Sequence, residues 1–176
     1  MEYRERDEAQ REAFGKELEK LDATKVYYLD ECGIEHGLYR EQARAPRGQK
    51  IPAQVSGKLR KRTNVIGTCQ SGKLVASMVF EGACNAAVVE AYFEKVLLPV
   101  LPEGSVVVLD NARFHHGSAA AELSAAKGIR LKYLPPYSPD LNPIEHFWAK
   151  FKRLLRPLLP SSNNPFQTII NLCQCC

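Results

Sequence analysis

The stretch LPPYSPDLNPIEHFWAKFKR, Leu134 to Arg153, constrains the fold more than any other part of the chain. Four prolines fall between Leu134 and Pro143. Each fixes its own φ and withholds a backbone donor, so the segment is neither helix interior nor central strand. It releases into an amphipathic pattern. At about 100° per residue, Ile144, Phe147, Trp148, Phe151, Leu154 and Leu155 share one side, which predicts a helix from about Pro143 to Arg156. Asn142, Pro143 and Glu145 take the N-cap, N1 and N3 positions of a capping box, a purely structural reading of Glu145. Glu145 also lies at the border of the apolar side, with Ala149, Lys152 and Arg156 beneath it. A carboxylate in line with two cations suits a metal site that grips a phosphate chain. The prolines would stiffen the loop and fix where that carboxylate points.

The rest of the chain reads as alternating strands and helices. Residues 2–22 are dense in charge, with Phe14, Leu18 and Leu21 at helical spacing. VYYLD (26–30) reads as a strand, and NVIGTCQ (64–70) and KLVASMVF (73–80) flank a Ser71-Gly72 hairpin turn. Next come a helix over 85–98, a buried strand SVVVLD (105–110), an Ala-rich helix over 118–127 and a strand IRLKYL (129–134). The order β, hairpin, α, β, α, β, α predicts an α/β protein: a five-stranded mixed sheet flanked by helices, as in RNase H-like folds. We divide it into a helical lead-in (1–25), a core (26–160) and a tail (161–176) with room for a short final helix.

Two predicted strands finish on an acid, Asp30 and Asp110, where α/β ligand sites gather. Each also has a plain reading, Asp30 as a turn residue and Asp110 as a cap for the segment after it. With Glu145 they would supply hard oxygens to one or two Mg²⁺ ions, an arrangement suited to phosphoryl transfer. No GxxxxGK[ST], HExxH or GxSxG pattern occurs, which argues against an NTPase, a zinc protease and a serine hydrolase. Outside the terminal CQCC, where Cys173 and Cys176 have C-x-x-C spacing, the cysteines form no CxxC pair; the first three read as small buried hydrophobes and CQCC as an unstructured or accidental end. No apolar run approaches a membrane span, and the charged N-terminus is no secretory signal, so a cytoplasmic protein is expected.

Charge is unevenly spread. From Arg40 to Arg62 eight Lys/Arg face one acid, and no acid occurs after Glu145. Such clusters fit either nucleic-acid phosphates or a solvated loop.

VYYLDE (26–31), NVIGTCQSGKLVASMVFEG (64–82), VVVLDNARFHHG (106–117) and the Leu134–Arg153 block resemble the DDE transposases of the mariner-type superfamily, in particular the bacterial insertion-sequence group numbered six-thirty. Thirty-four residues separate Asp110 from Glu145, the interval of that group. The resemblance implies an RNase H-like core in which Asp30, Asp110 and Glu145 are the catalytic, metal-binding triad. Asn111 and His115 match the family's supporting residues. Implied too are Mg²⁺ or Mn²⁺, two ions, and cleavage of double-stranded element ends with subsequent strand transfer into target DNA at a TA dinucleotide. A synaptic homodimer and a nucleoid-associated location belong to the same implication. Arg47, Lys50, Lys58, Arg60, Lys61, Arg62, Lys152 and Arg156 become DNA-contact candidates. Family members begin with a helix-turn-helix region, whereas this chain starts at the core, so a second-frame product completed by an upstream frame, or a truncated copy, is expected. A DNA-binding remnant without catalysis and an RNase H-like host nuclease are the alternatives.

Overall fold

The computed structural model describes residues 6–37, 45–50, 52, 61–112, 115 and 118–176. Five strands form one mixed sheet in the order β3-β2-β1-β4-β5. They are β1 (Val26–Glu35), β2 (Arg62–Gln70), β3 (Lys73–Glu81), β4 (Val106–Leu109) and β5 (Arg130–Tyr133). β1, β2 and β3 pair antiparallel, while β4 and β5 add in parallel on the other side of β1. The helices are α1 (Glu8–Glu19), α2 (Ala86–Tyr92), α3 (Ser118–Ala126), α4 (Ile144–Leu158) and α5 (Pro165–Gln174). The element order expected from sequence is observed, with α5 as the expected final helix. Among the described residues no helix is long and apolar enough to cross a membrane.

Local chemistry explains the strongest features. The β2–β3 turn puts Ser71 and Gly72 at φ 51° and 76°, between the paired Gln70 and Lys73. Two consecutive left-handed residues match the twist of the flanking strands. α2 runs on through one wide turn, Phe93–Leu97, closed by the Leu98 N–H donating to the Phe93 carbonyl at 2.9 Å.

Side chains alternate across β1 and divide the core in two. Tyr27 and Leu29 face a layer that includes Val89, Tyr92 and Phe93. Cys32 and Ile34 face α4 and α5, packing with Trp148, Phe151 and Ile169. The α4 face is narrower than the sequence pattern predicts. Ile144, Phe147, Trp148, Phe151 and Leu155 are buried, whereas Leu154 is 39% exposed, because it lies one position past the stripe that meets the sheet. The C-terminal cysteines correct a second expectation. CQCC is not an unstructured end: Cys173 belongs to α5 and is buried beside Ile169. Cys32 and Cys69 are buried as expected, and Cys84 is half-buried.

The lead-in helix is tied to the proline-rich loop. Arg11, almost wholly buried, donates to both oxygens of Asp140 at 3.0 and 2.6 Å, and this guanidinium holds the Asp140 carboxyl below its usual range. Asp140 lies in the short turn Pro139–Leu141 that precedes α4. α1 is thereby part of what aims α4.

Because Phe151 sits at the centre of the α4 face, Phe151→Ala should cost about 3–5 kcal/mol in urea denaturation. Leu154→Ala, at the exposed margin, should stay under about 1 kcal/mol in the same measurement.

Candidate active site

The register of β1 against β4 brings the two aspartates side by side. Tyr28 is level with Val108, and Asp30 and Asp110 are each two residues farther along. The two acids do not both end strands, as the sequence suggested. β1 continues to Glu35 because β2 keeps pairing with it, Asp30 lying opposite Gly67. Only the parallel pairing stops before Asp30, since β4 ends at Leu109. Asp110 is therefore just past its strand, while Asp30 is mid-strand.

α4 supplies the third carboxylate. Glu145 is in its first turn and exposed. The alternative, structural reading of Glu145 as part of a capping box is not realised: the helix has no side-chain cap bond. Asn142 is buried and turned across the chain, its Nδ2 donating to the Leu29 carbonyl at 3.3 Å. Its side chain is occupied in pinning the start of α4 to β1, one residue before Asp30, and so does not cap the helix that carries Glu145.

Asp30 records the crowding. Its carboxyl is raised to about 7, first by burial, then by the charges of Glu145, Glu31 and Asp110. The Trp148 indole N–H donates to Asp30 Oδ2 at 3.1 Å. Trp148 is core, as its place on the apolar side of α4 predicts, and also a polar partner of the site.

Asp110 is held from the opposite side. Its Oδ1 accepts from the Ala112 N–H at 3.0 Å and lies 2.6 Å from His115 Nδ1. The other ring nitrogen, Nε2, is 2.8 Å from Glu31 Oε1. With carboxylate oxygens at both nitrogens, the ring must donate twice and is an imidazolium. Burial alone would lower the His115 pKa; hydrogen bonds to Asp110 and then Glu31 outweigh it and lift it to about 10. The Tyr133 hydroxyl donates to the His115 carbonyl at 3.0 Å and steadies the segment. His115, named among the supporting residues, thus orients Asp110 and ties it to Glu31. Asn111 is exposed next to Asp110. Glu31 is a site residue that the sequence pattern did not single out; its only signal there is its place directly after Asp30.

The basic candidates fall into three groups. Lys152 and Arg156 line an open groove of about 670 Å³ along α4 with Glu145 and Ala149, the stacking that helical geometry predicted. Lys152 also lies against the Cys32 thiol, which burial pushes up to about 11 against the pull of that lysine. Arg47, Lys50, Lys61 and Arg62 are exposed; Lys61 pairs with Glu81 at 2.7 Å, and Arg62 donates to Asn64 Oδ1 at 3.0 Å. Lys58 and Arg60 lie outside the described residues.

A family profile described as DDE superfamily endonuclease matches residues 25–165. The chain belongs to that family. Its fold is RNase H-like: it is similar to the Mos1 transposase paired-end complex with left transposon end, at TM-score 0.70, 16% identity, and coverage of 99% of this chain and 61% of that one. It is also similar to the Mos1 transposase catalytic domain with Raltegravir and Mn, at TM-score 0.60 and 16% identity, covering 99% of this chain and 92% of that chain. An intasome of simian T-cell lymphotropic virus gives TM-score 0.58 at 12% identity, over 85% of this chain and 46% of that chain. The chain spans about 61% of the length of the transposase in the paired-end complex. No curated protein sequence matches it.

The raised Asp30 carboxyl has a consequence for stability. The folded state binds a proton there up to pH of about 7, the unfolded chain only to about its ordinary 3.8, so ionised Asp30 opposes folding progressively across that window. Asp30→Asn should therefore raise the melting temperature at pH 8 and leave it nearly unchanged at pH 4, as calorimetric scans of the two proteins would register.

Proposed function

We propose that this chain is the catalytic domain of a mariner-type transposase of the bacterial insertion-sequence group six-thirty. It cleaves double-stranded DNA at the ends of its element and joins the freed 3′-hydroxyls to target DNA at TA dinucleotides. The observation that carries this reading is the placement of three acids from three elements: Asp30 on β1, Asp110 level with it just past β4, and Glu145 in the first turn of α4, with the last two both acting on the Asp30 carboxyl. Membership of an endonuclease family supports the cleavage half. The relatives' own descriptions support the joining half and a divalent metal: among the similar structures are a Mos1 strand transfer complex and paired-end complexes with Mn and with Mg.

The donor set fits a hard divalent cation, because carboxylate oxygens are what Mg²⁺ and Mn²⁺ prefer. Among the described residues no three acid, histidine or cysteine side chains converge tightly enough to hold an ion where they stand. The holding residues would be Asp30, Asp110 and Glu145, with Asp110 turned from His115 toward the other two. Two bound ions would activate the attacking oxygen and stabilise the leaving one. The chain's own groups do the remainder. Asp30, half-buried against α4 and bonded to the Trp148 N–H, is less screened by water than the exposed Glu145. Lys152 and Arg156 neutralise phosphates along the groove that leads from Glu145. Their reach aligns the scissile phosphate with the acidic cluster. In the cell the domain would act as a synaptic homodimer at the nucleoid, joined to a helix-turn-helix encoded in an upstream frame that reads the element ends.

Incubation with DNA carrying the element ends and Mg²⁺ should yield nicked and strand-transfer products, abolished by Asp30→Asn, Asp110→Asn or Glu145→Gln. Cleavage without joining would favour a nuclease, and retained activity in any of the three variants would overturn the triad. In salt titrations of DNA binding, Lys152→Ala/Arg156→Ala should lower the slope of log K against log salt by about 1.8, two phosphate contacts' worth. An unchanged slope would remove α4 from the DNA path.

A further inference from the structure

α4 contributes to the acidic cluster twice. It carries Glu145, and three residues on it carries Trp148, whose indole N–H lies 3.1 Å from Asp30 Oδ2. The two side chains are one helical turn apart. The indole is only 3% exposed, wedged edge-on against Phe147 and Phe151 with ring centroids 5.2 and 5.9 Å away. Its seat on the sheet exists because residue 67 is glycine. Gly67 is the β2 residue opposite Asp30, and a Cβ there would lie 2.8 Å from Trp148 Cη2. Asn142 adds a second tie from the start of the same helix, to the Leu29 carbonyl. The orientation of Asp30 and the place of Glu145 are thus fixed by one docking event.

We infer that Trp148 is a positioning residue of the metal site: its N–H holds Oδ2 of Asp30, leaves Oδ1 to face the metal, and couples the first carboxylate to the third through the rigid turn of α4 between Glu145 and Trp148. The inference rests on the triad reading given under the proposed function. A buried neutral donor suits the task. It fixes the carboxylate without adding a cation that would compete with the metal, and its ring is locked by packing rather than by solvent-exposed partners. Outer partners of this kind typically change metal affinity by about 10–100-fold.

Trp148 is the only tryptophan in the chain, so it is also a direct probe. In the ¹⁵N-labelled full chain, the single indole N–H resonance should shift saturably as Mg²⁺ is added, with the same midpoint that calorimetry gives for Mg²⁺ binding. Trp148→Phe keeps an aromatic ring in the seat and removes the donor. It should weaken Mn²⁺ binding about tenfold, lower kcat for strand transfer, and leave KM for DNA unchanged. Gly67→Ala keeps the donor but displaces the ring, and should weaken Mn²⁺ binding in the same direction.

Two results would overturn the inference: Mg²⁺ binding by calorimetry with no movement of the indole resonance, or folded Trp148→Phe binding Mn²⁺ as tightly as the parent chain. The first needs no variant to fold. Failure of the underlying reading looks different. If Asp110→Asn and Glu145→Gln leave Mn²⁺ affinity intact, the triad itself is wrong; if they abolish binding while Trp148→Phe does not change it, only the positioning role falls.

Discussion

The aromatic face of α4 rests on β1 and β2 at a place where the sheet offers no side chain, Gly67. Everything chemical in the molecule is arranged around that contact. Phe147, Trp148 and Phe151 bury themselves together, and the helix cannot slide or rotate without opening a void. The proline-rich segment brings α4 to this position, Arg11 grips the segment through Asp140, and Asn142 fastens its end to β1. Glu145 is thereby delivered by packing rather than by its own bonds, which leaves an exposed carboxylate at a defined spot beside a half-buried one.

Such an arrangement stores electrostatic energy. Three acidic side chains, Glu31, Asp110 and Glu145, lie close enough to act on a fourth, Asp30. The protein compensates part of that repulsion with His115, which bridges Glu31 and Asp110 as a buried cation. The rest falls on Asp30, whose carboxyl keeps its proton to about neutral pH. A divalent cation is the natural counter-charge for what remains. The site is thus destabilising on its own, a common trade between stability and function, and under the proposed function a bound cation would relieve it.

Much of this was readable in the residues. Strand and helix order came from apolar periodicity, because each element is long enough to show its period. Asp30, Asp110 and Glu145 were marked by strand ends, helix geometry and family spacing. The features that escaped depended on partners distant in sequence. The alternation of VYYLDECGIE does not say that β2 will keep pairing past Asp30, which made Asp30 look terminal. Asn142 carries a perfect capping signal, yet its amide finds the Leu29 carbonyl 113 residues away. The composition of CQCC hid that the final helix runs into it and buries Cys173 beside Ile169. Glu31 and the N–H of Trp148 acquired meaning only when the fold supplied His115 and Asp30.

The central claim is that Asp30, Asp110 and Glu145 converge on divalent metal. Anomalous scattering from crystals grown with Mn²⁺ tests it most directly. The expected result is manganese bonded to oxygens of all three carboxylates, with Asp110 turned from His115 and the Trp148 N–H still on Asp30. Manganese elsewhere, or none at a saturating concentration with the three acids apart, would contradict it.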